Sequence, residues 1–122
     1  MQSHLSFPIF AKRRIHLGVC GSIAAYKSLD LLRLWHALGM KVSVTLTNAA
    51  QEFIRPLCFK SLGANPVYTQ MFGDSDSLFA HLEPGQKTEV LVIAPATANT
   101  LSKLALGLAD DLLSCQALSF PG

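Results

Sequence analysis

The sequence is poor in charge and in cysteine, and it has no long hydrophobic run. Only 15% of the residues are charged, the formal net charge is +2, and the main basic run is Lys12-Arg13-Arg14, which argues against a nucleic-acid partner. Cys20, Cys58 and Cys115 lack paired spacing and nearby histidine ligands, which argues against a disulfide framework or a zinc site. No apolar run approaches the roughly 18 residues of a membrane helix. We therefore expect a cytoplasmic protein without a metal site, a membrane span or bound nucleic acid.

Apolar residues make up 50% of the 122-residue chain, which is long enough for one domain with a hydrophobic core. This fraction is high for a monomer, because little polar surface remains to cover the core, so we expect a buried interface between subunits. Residues 1–14 are expected to form an N-terminal arm. Their charges follow the short apolar part rather than precede it, unlike those of a signal peptide. Residues 15–122 then form the domain.

Apolar runs alternate with amphipathic segments along this domain. We predict strands at 15–19, 41–47, 66–69 and 90–94, and helices at 22–38, 48–54, 57–62 and 99–118, the last interrupted at Gly107. The segment 70–83 is polar and has the weakest signal. The alternation predicts an α/β fold, with a doubly wound, Rossmann-like or flavodoxin-like parallel sheet, right-handed crossovers and helices on both faces.

Small and polar side chains follow three of the predicted strands. Gly21-Ser22 comes after the first strand, Thr47-Asn48 after the second, and Ala96-Thr97 after the strand at 90–94. In an open α/β sheet, ligands bind at the carboxyl ends of the strands. In the stretch 94–100 (Ala-Pro-Ala-Thr-Ala-Asn-Thr), hydroxyl and amide side chains lie across the start of a helix. This pattern fits a phosphate or a flat polar ligand, and it also fits an ordinary helix N-cap.

The first strand-to-helix turn, Gly18-Val19-Cys20-Gly21-Ser22, lacks the G-x-G-x-x-G spacing of a dinucleotide site. The second strand ends in Thr45-Leu46-Thr47-Asn48, where such a site places an Asp or Glu for the ribose hydroxyls. Hydroxyl groups suit a phosphate better, because a carboxylate would repel it. The G-x-x-x-x-G-K-[ST] loop of P-loop ATPases is absent as well. The residues therefore favour a phosphate-bearing mononucleotide over NAD.

Three segments carry a resemblance to a known family. They are 21–27 (Gly-Ser-Ile-Ala-Ala-Tyr-Lys), 47–50 (Thr-Asn-Ala-Ala), and 94–113, which contains Pro-Ala-Thr-Ala-Asn-Thr and a later Ala-Asp-Asp-Leu-Leu. In this order they resemble the homo-oligomeric flavin-containing cysteine decarboxylases, a family that includes the phosphopantothenoylcysteine decarboxylases of coenzyme A biosynthesis. The resemblance runs from about residue 15 to about residue 118, and the segment 94–113 is its most specific part.

The resemblance implies non-covalently bound FMN and assembly as a homotrimer or a dodecamer, with FMN near a subunit interface. It also implies three groups of cofactor-binding residues, one after each strand. These residues are Gly21, Ser22 and Ile23; Thr47, Asn48 and Ala49; and Thr97, Ala98, Asn99 and Thr100.

His81 is the candidate catalytic residue, because it lies in 79–83 (Phe-Ala-His-Leu-Glu), the context in which the family carries its catalytic histidine. For His4, His16 and His36 we expect exposed or packed positions without a role in the reaction. The implied reaction is decarboxylation of a cysteine-derived carboxylate, foremost 4′-phosphopantothenoylcysteine. In that family, oxidation of the thiol side chain to a thioaldehyde creates the electron sink for loss of CO₂. His81 would either move the proton during this oxidation or orient the carboxylate.

Two parts of the family's site have no counterpart in this sequence. One is a Pro-x-Met-Asn segment whose Asn contacts the substrate carboxylate, and the other is a flexible clamp that carries a Cys in the coenzyme A enzymes. Cys115 lies on the predicted last helix and is expected to be a buried thiol instead. The chain is then a fragment, is completed by a partner, or has lost catalysis. We favour an incomplete domain that lacks its last strand, because a sheet awaiting another strand exposes an edge.

Other functions stay open at this point. The chain could be a non-catalytic, FMN-holding regulatory or scaffold subunit. It could also be a relative that decarboxylates a peptide with a C-terminal Cys, or a flavin prenyltransferase of similar fold, although the phosphate-binding residues that a prenyltransferase needs are not found.

Overall fold

The computed structural model describes residues 9–70 and 80–121. They form one four-stranded sheet, consisting of β1 (Arg14–Val19), β2 (Lys41–Leu46), β3 (Val67–Tyr68) and β4 (Val90–Ile93). The helices are α1 (Lys27–Ala37), α2 (Pro56–Ser61), α3 (Glu83–Lys87), α4 (Ala98–Leu106) and α5 (Leu112–Ser119). Short 3-10 turns precede α1 at Ile23–Tyr26 and follow β2 at Ala50–Glu52.

The strands lie in the order β3-β2-β1-β4, and every pair is parallel. Ile15 of β1 is in register with Val42 on one side and with Val90 on the other. All carboxyl ends therefore meet at one edge of the sheet, which confirms the predicted α/β fold with a parallel sheet. β1 begins at Arg14, one residue earlier than expected.

The two faces of the sheet differ in chemistry. On one face, alternate apolar residues of β1 and β2 form the main core, which includes Leu17, Val44 and Leu32 of α1. On the other face the same strands present His16, Ser43 and Thr45, all buried. Because Thr45 and Gln116 are hydrogen-bonded, this polar face is covered by α5.

Two glycines end helices as the sequence predicts. Gly39 follows α1 with φ +87°, and Gly107 follows α4 with φ +72°, a left-handed conformation that favours glycine. The break at Gly107 turns the predicted helix 99–118 into α4 and α5. The predicted helix at 48–54 is only a 3-10 turn, because it is too short before Pro56 to propagate. None of the helices in the described parts of the chain is long and apolar enough to cross a bilayer.

Candidate functional site

A cleft of about 780 Å³ opens at the carboxyl edge of the sheet, within the size range of cofactor sites. Seven of the ten predicted cofactor-binding residues line it, and they come from all three strand ends. They are Gly21, Thr47, Asn48, Ala49, Thr97, Asn99 and Thr100. Ser22, Ile23 and Ala98 lie next to the cleft in the sequence but do not line it. Residues that are distant in the chain are thus brought together as expected.

The turn after β1 packs directly on the turn after β2. A Cβ atom at Gly21 would lie 2.6 Å from the carbonyl carbon of Ala49, so only glycine allows this approach. Ser22 caps the 3-10 turn, since its Oγ accepts a hydrogen bond of 2.9 Å from the Ala24 amide. Ile23 is 81% exposed and makes no part of the cleft wall.

The turn after β2 is held by Thr47. Its amide donates to the Val19 carbonyl (3.1 Å), and its Oγ1 accepts from the Ala50 amide (3.1 Å). These bonds anchor the main chain of Thr47 to β1, while Asn48 and Ala49 stay exposed at the cleft. The side chain of Asn48 is therefore available to a ligand.

The stretch 94–100 forms the predicted helix cap, and it does so at the edge of the cleft. Thr97 is the N-cap of α4, because its Oγ1 accepts from the Thr100 amide at 3.3 Å. Thr97 and Thr100 also line the cleft. The stretch is tied to β1 by the Cys20 amide, which donates to the Pro95 carbonyl (3.1 Å), and by the Cys20 thiol, which donates to Thr100 Oγ1 (3.3 Å). The cap thus places hydroxyl groups and a helix N-terminus on one wall.

The connection between α4 and α5 adds charge to the cleft. Lys103 Nζ lies 3.0 Å from Asp110 Oδ1 and 3.4 Å from Asp111 Oδ2. The hydrogen bond with Asp110 raises the pKa of Lys103. Burial alone would raise the pKa of Asp111, but hydrogen bonds from Ser114 and the nearby Lys103 hold it below its usual value. Lys103 and Asp111 are therefore ionised near neutral pH.

Asp111 also begins α5 with a capping box: its carboxylate accepts from the Ser114 amide at 2.8 Å, and Ser114 Oγ accepts from the Asp111 amide at 3.2 Å. The first turn of α5, with Leu112 and Leu113, lines the cleft. The sequence prediction did not assign Lys103, Thr69 or Gln70 to the site. Lys103 lies four residues after Asn99 on α4, and this helical spacing was the available signal.

His81 lies outside the cleft lining, in the turn that precedes α3, and it is half-buried. The main chain of this turn is held from α5. Gln116 Nε2 donates to the Ala80 carbonyl (2.9 Å), and Ser119 Oγ donates to the His81 carbonyl (3.0 Å). On the other side Tyr68 Oη donates to Glu83 Oε1 (2.5 Å). His81 is thus not part of the cleft wall. The turn that carries it is hydrogen-bonded to α5, and the first turn of α5 lines the cleft.

All three cysteines are free, as predicted. Cys20 is buried, whereas Cys115 is only partly buried, which corrects the expectation of a buried thiol. The thiol of Cys115 donates to the Ala109 carbonyl at 3.1 Å. Among residues 9–70 and 80–121, no three His, Cys, Asp or Glu side chains are grouped in a way that would hold a metal ion.

Solved structures share this fold. MrsD from a Bacillus species superposes with a TM-score of 0.83 at 26% identity, covering 94% of this chain and 66% of that one. SpaF, described as an FMN-dependent cysteine decarboxylase, gives a TM-score of 0.80 at 31% identity, covering 90% of this chain and 64% of that one. The four-stranded sheet and its helices therefore belong to a fold that these proteins share.

Curated relatives are similar in sequence as well. A Streptococcus mutans protein named "Probable phosphopantothenoylcysteine decarboxylase" is 42% identical over 110 residues, which is 89% of this chain and 62% of that protein. The coenzyme A biosynthesis bifunctional protein CoaBC of Escherichia coli is 37% identical over 112 residues, 91% of this chain and 28% of that protein. The chain thus spans less than two thirds of the length of these relatives. The sequence model of the Flavoprotein family matches residues 10–121, nearly all of the described fold, and the chain belongs to that family.

Proposed function

We propose that the cleft binds FMN non-covalently and that the protein decarboxylates a cysteine-derived carboxylate, foremost 4′-phosphopantothenoylcysteine. The observation that carries this proposal is the convergence of seven predicted ligand residues, from three separate strand ends, on one cleft. The relatives named above, with 42% and 37% identity, support the substrate class. Because the chain spans 62% of the Streptococcus mutans relative, this activity is proposed for the whole protein.

The residues present suit FMN. Thr47, Asn48, Thr97 and Asn99 line a cleft of about 780 Å³, and their hydroxyl and amide groups are of the kind that suits a ligand with a polar ring edge and a phosphate. The Thr100 amide donates to Thr97 Oγ1, and the amides before it at the start of α4 have no intrahelical partners, which favours an anion at this helix N-terminus. The walls at β1 and β2 carry no carboxylate that would repel a phosphate. Asp110 and Asp111, at the far wall, are neutralised in part by Lys103.

When bound, FMN would supply a two-electron oxidation of the substrate's thiol side chain to a thioaldehyde, whose C=S group accepts the electron pair left behind when CO₂ departs. The protein's part is to orient the substrate and to handle protons. His81 is the residue that we assign to the reaction, because an imidazole is suited to accept a proton near neutral pH or to orient a carboxylate. The first turn of α5, through Leu112 and Leu113, closes one side of the cleft with apolar surface.

We further propose that the protein works as a homo-oligomer, a trimer or a dodecamer, in the cytoplasm. Large apolar side chains are exposed on the turn before α1, on α4 and directly after α4. They are Ile23, Tyr26, Leu101, Leu106 and Leu108. A subunit interface would bury them. The free state of all three cysteines supports a reducing compartment.

The absorption spectrum of the purified protein is the first test. Flavin bands in protein expressed with ample FMN support the cofactor assignment, and their absence contradicts it. Release of CO₂ from 4′-phosphopantothenoylcysteine by the yellow protein then tests the reaction. A yellow protein without CO₂ release would favour a non-catalytic FMN-holding subunit.

A second candidate substrate is a peptide with a C-terminal cysteine. SpaF, which matches at 31% identity with a TM-score of 0.80, is described as an FMN-dependent cysteine decarboxylase without mention of coenzyme A, and this keeps a different cysteine substrate open. Parallel assays with the phosphopantothenoyl compound and with a short peptide ending in Cys separate the two, since the preferred substrate gives the higher kcat/KM.

A further inference from the structure

A buried hydrogen-bond network lies beneath the sheet, on the face opposite the main core. It joins His16 and Ser43 (2.5 Å), His16 and Thr45 (2.7 Å), and Thr45 and Gln116 (2.7 Å). The network ends where Gln116 Nε2 donates to the Ala80 carbonyl. His16, Thr45 and Gln116 are each 0% exposed. Its last acceptor belongs to the residue before His81.

The direction of every bond in this network follows from its last acceptor. The Ala80 carbonyl can only accept, so the amide nitrogen of Gln116 faces it and Oε1 faces Thr45. Thr45 must then donate its single hydroxyl hydrogen to Oε1 and accept from His16. His16 therefore carries its proton on Nε2, and its Nδ1 accepts from the Ser43 hydroxyl.

A network of this kind determines geometry more than it adds stability. Removal of one member would leave its buried partners without a hydrogen bond, which is costly. The intact network therefore holds Gln116 in one orientation. Burial lowers the pKa of His16 to about 4, and Gln116 offsets part of this. The ring is thus neutral at physiological pH, which is the state that the bond directions require.

The helix α5 connects this network to the cleft. Its first turn, with Leu112 and Leu113, lines the cleft. One turn later Gln116 and Ser119, three residues apart on one side of the helix, hold the consecutive carbonyls of Ala80 and His81. The helix α5 therefore fixes the position of the turn that carries His81 relative to the wall of the cleft.

We propose that Gln116 and Ser119 are positioning residues, which hold the Ala80–His81 turn in a defined place relative to the cleft, and that Thr45 and His16 fix the orientation of Gln116. This inference rests on the proposed function, because it takes His81 as the residue that acts on the substrate. The inference gives four residues a positioning role. One of them, His16, was expected from the sequence to have no role in the reaction.

The test is a double-mutant cycle with His81→Asn, measured as CO₂ release by the FMN-loaded protein. Thr45→Val keeps the shape of the side chain but breaks the network, so we expect kcat to fall on the order of tenfold, with KM and bound flavin changed less than about twofold. In the His81→Asn background the same change should leave the residual rate within about twofold. An equal loss in both backgrounds would overturn the proposal.

Two controls separate positioning from general damage. Thr45→Ser retains the hydroxyl and should restore kcat to within about twofold of the unaltered protein. Val44→Ala removes buried side-chain volume from the same strand on the opposite face, and it should leave kcat unchanged within about twofold. If Val44→Ala lowers kcat as much as Thr45→Val, loss of strand packing explains the effect and the proposal fails.

Ser119→Ala is the replacement variant for the same experiment if Thr45→Val does not fold. Ser119 lies at the surface, so its substitution should not prevent folding. We expect a loss of about threefold in kcat, absent in the His81→Asn background. If the unaltered protein releases no CO₂, the proposed function fails, and the positioning is tested by NMR instead. The His81 ring resonances should then shift in Thr45→Val or Ser119→Ala and stay in place in Val44→Ala. Unchanged His81 resonances in both network variants would contradict the proposal.

Discussion

His16 Nε2 lies 2.7 Å from Thr45 Oγ1, and the imidazole ring is fully buried between two hydroxyl groups on the polar face of the sheet. Protonation of Nδ1 would reverse the hydrogen bond with Ser43, and burial disfavours the charged ring. This pair therefore links the stability of the fold to pH.

The free energy of unfolding should decrease as the pH falls from about 6.5 to about 4. In this window the unfolded chain binds a proton on His16, whose ordinary pKa is 6.5, whereas the folded chain does not, because its His16 pKa is about 4. The loss should reach about 3 kcal/mol and add nothing further below pH 4. Urea unfolding at several pH values measures it. His16→Gln is the control, and an identical pH dependence in that variant would contradict the assignment.

Thr97→Val should weaken both the fold and cofactor binding. The variant removes the Oγ1 that accepts from the Thr100 amide at the start of α4, which should cost about 1 kcal/mol of stability. Urea unfolding without FMN isolates this loss of the cap. An FMN titration then reports the second role of the hydroxyl, and Thr97→Ser should retain both. If Thr97→Val binds FMN as tightly as the unaltered protein, Thr97 acts only as a helix cap.

Gly21→Ala should disrupt the cleft by steric conflict. The added Cβ would meet the main chain of Ala49 at 2.6 Å, so the two turns must separate. We expect a loss of about 1–3 kcal/mol in stability, and FMN binding weaker on the order of tenfold, as a shift of roughly 1.4 kcal/mol would give.

Gly107→Ala is the matched control for that variant. Gly107 has φ +72° but open space around its Cβ position, and it does not line the cleft. Its substitution should cost about 1–2 kcal/mol through backbone strain alone, with unchanged FMN affinity. An equal loss of FMN affinity in both glycine variants would mean that general destabilisation, rather than contact between the turns, weakens the cleft.

His81→Asn should strongly reduce turnover without removing the cofactor. Loss of a group that transfers a proton or orients the carboxylate should reduce kcat by about 10²–10⁴, while the flavin absorption stays, because His81 does not line the cleft. His36→Asn is the control, since His36 is exposed beside Gly63. Full activity in His81→Asn would remove His81 from the reaction.

Local patterns in the sequence determined the parallel α/β fold, the caps and the helix ends. Ser22, Thr97 and Gly107 were recognisable because a cap depends only on residues three or four positions away. The strands were recognisable because their apolar runs are short and bounded by Gly or Pro. The three polar strand ends could then be assigned to one edge, since parallel strands bring their carboxyl ends together.

Only the tertiary structure decided which distant residues meet. The contact between Gly21 and Ala49 requires β1 and β2 to be neighbours, and the polar face of the sheet requires α5 to cover His16. The placement of Lys103 beside Asp110 depends on the break at Gly107, which turns α5 back toward the cleft. The first two contacts join residues far apart in the chain, whereas Lys103 and Asp110 are near in sequence and meet only because the chain turns between two helices. In each case the geometry follows from the packing of whole elements, which no local pattern encodes.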